Sequence, residues 1–434
     1  MSLSKNPTYN LKAVLKETGL KADVLRAWER RYGLPAPERT QGGHRLYSEF
    51  DMALLKWLLL RQAEGLSISR AAEMWKEQLL LGHDPLAETA LTAKTPGPAP
   101  LTTGIEALRA GWLAACLEFN EAAAEQTLNQ AFALYPVETV CTAVLQRGLA
   151  EMGNLWYENR ASIQQEHFAS ALAMRRLDTL LAASPAPTRP QTVLIGCPAA
   201  EWHTFTPLLL ALFLRRNGLN VIYLGANVPA TCLAETVTMV KADLVILAAQ
   251  QLISAGNLQE AVGLMAARGA TVAFGGRIFS LQPDLGTRIA GHYLGDRLDS
   301  ALQKVETLLA GKPVSPQPVS PSTEYMQTLA AFQANRPLIE GSLDAEARAS
   351  GLNPAYLETS HKFMGDNILA CLRLGEMTYL DSEIDWLTVL LQGLNLPRDV
   401  VYAYLRLYSA AVYRHLDGHA APITDWLDRQ PRNF

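Results

Sequence analysis

No stretch of this sequence holds the roughly 18–20 consecutive uncharged apolar residues that a bilayer-spanning helix needs. The opening residues, MSLSKNPTYN, lack the apolar core of a signal peptide, so export is not expected. Cysteine is sparse. Cys116, Cys141, Cys197, Cys232 and Cys371 are odd in number and never spaced CxxC. That pattern argues against a disulfide framework or a cysteine-ligated zinc site and fits a reducing cytoplasm. Charge is modest as well, at 18% of residues against 49% apolar, which excludes a disordered or collagen-like chain. There is no internal repeat.

What is present is 434 residues, enough for about three domains of ordinary size. The net charge of −4 hides an asymmetry. Residues 1–80 hold 13 Lys+Arg against 9 Asp+Glu, and the remainder carries a balance of −8. A basic head on an acidic body implies that only the head meets an anionic partner.

Breaker-rich segments divide the chain. Pro96-Gly97-Pro98-Ala99-Pro100 and the run from Pro313 to Ser322 read as extended linkers, and Ser184 to Pro190 is a shorter punctuation. The expected units are therefore 1–80, 103–183, 190–310 and 324–434. The second is helical by its three-to-four spacing of Leu, Ala and Met, and Ser162 with Gln165 predicts a capping box at one helix start. In the third, strand candidates at Thr192–Ile195, Val221–Leu224, Leu244–Leu247, Thr271–Phe274 and His292–Leu294 alternate with helices. Such alternation means a parallel sheet covered on both faces, with ligands bound at the carboxyl ends of its strands. The fourth unit is helical, with apolar periodicity in 355–379, 382–393 and 397–416. It contains no nameable motif; His361, Asp366, His415 and His419 are its conspicuous polar residues.

The first unit reads as a helix at Leu11–Glu17, a turn at Gly19, a second helix at Lys21–Arg31, then a Gly-rich loop and two longer helices. Arg26 and Arg30, four apart, share a face of the second helix, and Lys21 stands at its start. Arg39 and Arg45 flank a Gly-Gly turn that could lay cations along a phosphate backbone. The segments VLRAWERRYGL and RTQGGHRLY resemble the winged helix-turn-helix of MerR-family transcription regulators over residues 9–78. The resemblance implies that Lys21, Arg26, Trp28, Arg30, Arg39, His44, Arg45 and Tyr47 contact double-stranded DNA or support that contact. Trp28 is equally readable as a core aromatic. Palindromic operators, and a homo-oligomer (dimer or tetramer) to bind them, are implied too.

At the end of the first strand of the third unit, Glu201-Trp202-His203 sits in the loop where a cofactor would dock. Histidine is the commonest neutral metal ligand, and Glu201 is placed to orient its ring. With the stretch GLNVIYLG, Val228-Pro229 and the pair Gly275-Gly276, this region resembles the cobalamin-binding domain of methionine synthase and its relatives. That resemblance implies a flavodoxin-like five-stranded α/β domain with His203 as lower axial ligand of cobalt. Two departures fall near the expected path of the cofactor tail: Thr206 replaces a glycine, and Ala248 or Ala249 replaces a serine.

A four-helix bundle before such a domain is the cap arrangement of the same relatives. Trp156, nine residues, then Glu166-His167 resembles the light-sensing CarH/CarA/LitR-type regulators, which hold adenosylcobalamin. The resemblance implies that Trp156, Tyr157, Ile163, Glu166 and His167 line the upper face of the cofactor, with methylcobalamin the alternative form. Tyr157 stands where those regulators carry a histidine. The reading is a cytoplasmic, non-enzymatic, light-responsive transcription regulator. The alternatives are a corrinoid methyl carrier or cobalamin enzyme subunit, or a regulator sensing a ligand other than light.

Overall fold

The computed structural model describes residues 4, 6–39, 45–63, 68–80, 86, 102–311, 313–314, 316–385, 387 and 398–430. It forms two compact units, Met1–Ala173 and Met174–Phe434.

The first unit opens with the short strand β1 (Tyr9–Asn10) and helices α1 (Leu11–Thr18) and α2 (Ala22–Tyr32). The Asn10 side chain caps α1 by accepting from the Ala13 amide at 3.0 Å. Gly19 and Gly33 end the two helices at φ 72° and 68°, the left-handed stop that glycine adopts without steric penalty. Strands β2 (Glu38–Arg39) and β3 (Arg45–Tyr47) complete a three-stranded antiparallel sheet in the order β1-β3-β2. Helices α3 (Glu49–Ala63) and α4 (Ile68–Leu80) follow. Val14, Leu25, Trp28, Tyr47, Trp57 and Trp75 form the core of this head.

The bundle comprises α5 (Thr102–Leu117), α6 (Glu121–Leu134), α7 (residues 137–157) and α8 (Ile163–Ala182). Helix α7 carries a π-turn at Cys141–Gln146. Just beyond it, Trp112 of α5 packs so closely that a Cβ on Gly148 would lie 2.7 Å from its ring. The expected capping box is present: the Ser162 amide donates to Gln165 Oε1 at 2.7 Å, and the Gln165 amide donates to Ser162 Oγ at 3.2 Å. Trp156, Tyr157, Ile163, Glu166 and His167 thereby fall at one end of the bundle, where α7 ends and α8 starts.

The second unit is built on β4 (Thr192–Gly196), β5 (Asn220–Tyr223), β6 (Leu244–Ala248), β7 (Val272–Gly275) and β8 (His292–Tyr293). All pairings are parallel, in the order β5-β4-β6-β7-β8. Helices α9 (Phe205–Arg216), α10 (Ala230–Val240), α11 (Leu252–Ala266), the short α12 (Arg277–Leu281) and α13 (Leu298–Ala310) connect or follow the strands. Alternate residues face opposite sides, as strand geometry requires. Val193, Ile195, Leu244 and Ile246 join one core with Leu210 and Leu214 of α9 and Val305 of α13. Leu194, Val245, Leu247 and Phe274 join the other, with α10 and α11.

This second core does not stop at α11. It runs on into α14 (Thr323–Ala349), α15 (Pro354–Leu374), α16 (Arg398–His415) and α17 (Ala421–Arg429), taking in Phe332, Ile368, Tyr408 and Trp426. The sequence puts a boundary at Pro313–Ser322. In the structure the helices beyond that segment share one hydrophobic core with the sheet. The reason is a close helix crossing: a Cβ on Gly256 of α11 would lie 2.7 Å from Ala370 Cα of α15. Only two small residues facing each other allow that approach. The long α14 continues through Pro337, which lies inside it. Most of the helix expected at 382–393 lies outside the described residues.

Gly256→Val should overpack this crossing and destabilise the second unit by about 1–3 kcal/mol. Urea unfolding followed by circular dichroism measures it, and an unchanged midpoint would mean that the crossing is not tight.

Candidate functional site

In the head, α1, the Gly19 turn and α2 form the helix-turn-helix. Burial of Leu25 and Trp28 on one side of α2 leaves Arg26 and Arg30 exposed on the other, with Lys21 exposed at the N-cap. Arg26 has one weak neighbour, Asp23 at 3.7 Å. Trp28 (6% exposed) and Tyr47 (fully buried) are core residues that can support a DNA contact but present no face to a duplex. Sequence reasoning missed Glu29. Its carboxylate accepts from Tyr47 Oη at 2.6 Å and from Arg45 Nε at 2.7 Å, tying strand β3 to the recognition helix. Burial, then Glu29, push the Tyr47 phenol well above its ordinary range. The side chain of Arg39 and the whole of His44 lie outside the described residues.

At the bundle end, Glu166 Oε2 is 2.7 Å from His167 Nδ1, and Ser170 Oγ donates to Glu166 Oε1 at 2.8 Å. Tyr157 and Ile163 are exposed, and Trp156 is half-buried.

The loop that carries His203 leaves the carboxyl end of β4, next to β6. Chain connections diverge to opposite sides of the sheet here, so the strand ends open a crevice. Pro198 to Glu201 form a β-turn, with the Glu201 amide donating to the Pro198 carbonyl at 3.1 Å. Ala200 has φ 63° and Ala199 is not left-handed, which makes the turn type II. A non-glycine residue held there costs about 1–2 kcal/mol.

Glu201 has no solvent exposure. Its Oε1 accepts from the His203 amide at 2.8 Å and faces His203 Nδ1 at 2.7 Å. Its Oε2 accepts from the Gln250 amide and from Ser254 Oγ, both at 2.6 Å. Burial opposes ionisation, but these hydrogen bonds outweigh it and hold the carboxyl below its ordinary value of 4.5. The position, at the N-terminal end of α11, also suits a negative charge. Ser254 was missed by sequence reasoning, which looked for a serine at the strand end. Its only local signal is its place as third helical residue after Gln251, which it caps reciprocally.

With Nδ1 turned to the carboxylate, the imidazole's basic lone pair is on Nε2, and the side chain is 60% exposed. Among the described residues no group of three or more His, Cys, Asp or Glu could hold a bare metal ion. One oriented imidazole suits a metal whose other positions are filled by a macrocycle. The glycine pair fits close backbone approach too: a Cβ on Gly276 would lie 1.9 Å from the Ala249 carbonyl oxygen, so this position, at φ 124°, excludes any side chain.

In the C-terminal helices, Arg336, Asp344, Arg348, His361 and Asp366 line a cavity of about 610 Å³. Its arginines are paired, Arg336 with Glu340 and Asp366, and Arg348 with Asp344. His361 Nδ1 meets Tyr404 Oη at 2.8 Å, His415 Nε2 meets Ser342 Oγ at 2.7 Å, and His419 is exposed. No helix among the described residues is long and apolar enough to cross a membrane.

Comparison with known proteins matches residues 9–78 to the family of MerR HTH family regulatory proteins. Residues 108–181 and 191–295 match two B12 binding domain families. The HTH-type transcriptional repressor CarH of Myxococcus xanthus is 33% identical over 238 residues, covering 55% of this chain and 77% of that protein. The repressor CarA of the same organism is 32% identical over 243 residues, 55% of this chain and 76% of that protein. Among solved structures, the monomethylamine corrinoid protein of Methanosarcina barkeri aligns over 45% of this chain and 96% of its own, with 16% identity and a TM-score of 0.40. The matched families end at residue 295, before α13.

Glu201→Gln should destabilise the second unit by about 1–3 kcal/mol at neutral pH, because an amide cannot accept all four hydrogen bonds. The folded carboxyl titrates below 4.5, so its contribution is present above that value and is lost as pH falls through the folded value. The gap between wild type and variant should therefore shrink as pH is lowered below 4.5 in thermal melts. A pH-independent gap would contradict this assignment.

Proposed function

The chain belongs to the CarH/CarA-type family of B12-dependent MerR transcription regulators, and from that premise we propose that it senses light through adenosylcobalamin. The observation that carries the reading is the oriented imidazole of His203, held through Nδ1 by the buried Glu201 at the sheet's ligand-binding edge. In this reading His203 would hold the cobalt through Nε2, and the Gly275-Gly276 backbone would border the cofactor. Trp156, Ile163, Glu166 and His167 hold the upper, adenosyl side. Bound adenosylcobalamin would supply a cobalt–carbon bond that visible light can cleave.

The protein's own work is conformational. A cofactor held by both sets of residues would favour one assembly of subunits. That assembly presents paired heads to a palindromic operator. Arg26 and Arg30 then face the groove, Lys21 and Arg45 serve the phosphates, and Glu29 keeps the wing in register. A change at the residues that would hold the upper side would shift the population away from the DNA-binding assembly. Tyr157 offers a phenol, a weaker cobalt ligand than imidazole, where light-sensing relatives carry histidine. Tyr157 would therefore hold the upper side of the cobalt less firmly than an imidazole would. A MerR head and relatives named as repressors favour regulation over methyl transfer.

Operator binding by the holo-protein should be at least tenfold tighter in darkness than after green light, measured by mobility shift and sedimentation. Equal affinity in both states would remove the light-sensing role. Arg26→Ala and Arg30→Ala should each weaken operator binding by about 1–3 kcal/mol if they read bases, or lower the salt slope by about one if they meet phosphates. An unchanged affinity and salt slope for both would move the DNA-reading face elsewhere.

A further inference from the structure

We propose that the C-terminal helices act as a brace for the metal-ligand loop, with Arg373 and Asn257 as positioning residues that set the course of the chain into His203. The proposal rests on the reading of His203 as a cobalt ligand, and it links the matched residues 191–295 to helices that lie beyond them.

A type II turn differs from a type I turn chiefly in the orientation of its middle peptide, which is turned over by about 180°. In the turn Pro198–Glu201 that middle peptide is Ala199 C=O and Ala200 N–H. Both of its polar groups are gripped. Asn257 Nδ2 donates to the Ala199 carbonyl at 2.8 Å, and the Ala200 amide donates to Asn227 Oδ1 at 2.9 Å. The grip is required because alanine disfavours the left-handed conformation that a type II turn demands at this position. Released, the peptide would turn over toward the type I form. Glu201, Trp202 and His203 would then leave the turn in a different direction.

One half of this grip belongs to the C-terminal helices. Arg373 on α15 donates from Nη1 to Asn257 Oδ1 at 2.6 Å, and its other terminal nitrogen lies 3.1 Å from Glu260 Oε2. A guanidinium only donates, so the amide oxygen of Asn257 must face Arg373. The amide NH2 is thereby turned to the Ala199 carbonyl. Without Arg373 the amide can rotate and set oxygen against oxygen. The arrangement is stiff because Ala370, one helical turn before Arg373, sits against Gly256, the neighbour of Asn257. Helix α11 also supplies Ser254 to Glu201. The C-terminal helices thus hold the helix that contacts the loop at two points.

The test uses the full-length chain with three variants: Arg373→Met, Asn257→Asp, and Asn257→Asp combined with Ala200→Gly. Asn257→Asp keeps a partner for Arg373 but places an acceptor against the Ala199 carbonyl. In the apo-protein, hydrogen exchange across 197–204 should quicken in both single variants while the rest of the sheet keeps its protection. Dark titration with adenosylcobalamin should show about tenfold weaker uptake, with the visible spectrum shifted toward cobalt lacking a protein imidazole. Glycine takes the left-handed conformation without penalty, so the double variant should regain most of the affinity and spectrum. Unchanged exchange and uptake in Asn257→Asp would overturn the brace, as would failure of Ala200→Gly to restore them. If the wild-type chain takes up no adenosylcobalamin, the reading of His203 fails on its own. The apo-protein exchange still decides whether Arg373 and Asn257 hold the turn.

Discussion

A buried carboxylate is the constraint on which the second unit is organised. Glu201 has been taken out of water at the edge of a parallel sheet, where a lone charge would be strongly unfavourable. Four donors make it tolerable: the amide and ring of His203, the amide of Gln250 and the hydroxyl of Ser254. These donors come from the β4 loop, the β6 loop and the first turn of α11. One side chain therefore fixes the relation among three segments and turns Nδ1 of His203 toward the carboxylate.

That constraint explains why the loop is built from residues in uncommon conformations. Ala200 and Asn227 both have positive φ, and each is held by a hydrogen bond to the other's segment. The strain is local, while its support is distributed over the carboxyl edge of the sheet. In the head the same design recurs at smaller scale. Glu29, mostly buried at 10% side-chain exposure, joins Arg45 and Tyr47 of β3 to α2, so the recognition helix and the wing move as one piece.

The C-terminal helices change the meaning of the linker that precedes them. A Pro-rich segment commonly separates bodies that move independently. Here the helices after it bury Phe332, Ile368, Tyr408 and Trp426 in the core that also holds Leu194 and Val245. The α/β sheet and the C-terminal helices consequently share one hydrophobic core, joined through α11.

Much of this was legible from the residues. Strand and helix alternation gave five parallel strands within about one or two residues, because short continuous apolar runs punctuated by turns are a local signal. The Ser162–Gln165 capping box, the glycine stops at 19 and 33, and the Glu201–His203 pair were likewise readable, since each is encoded within a few positions. Burial of Tyr47, the bonds of Ser254 and Asn257 to a loop some fifty residues earlier, and Arg373 reaching back 116 residues to Asn257 were not. Those contacts depend on which helix faces which. That in turn depends on how glycine and alanine at 256 and 370 let two helices approach, a matter of three-dimensional packing that no local pattern records.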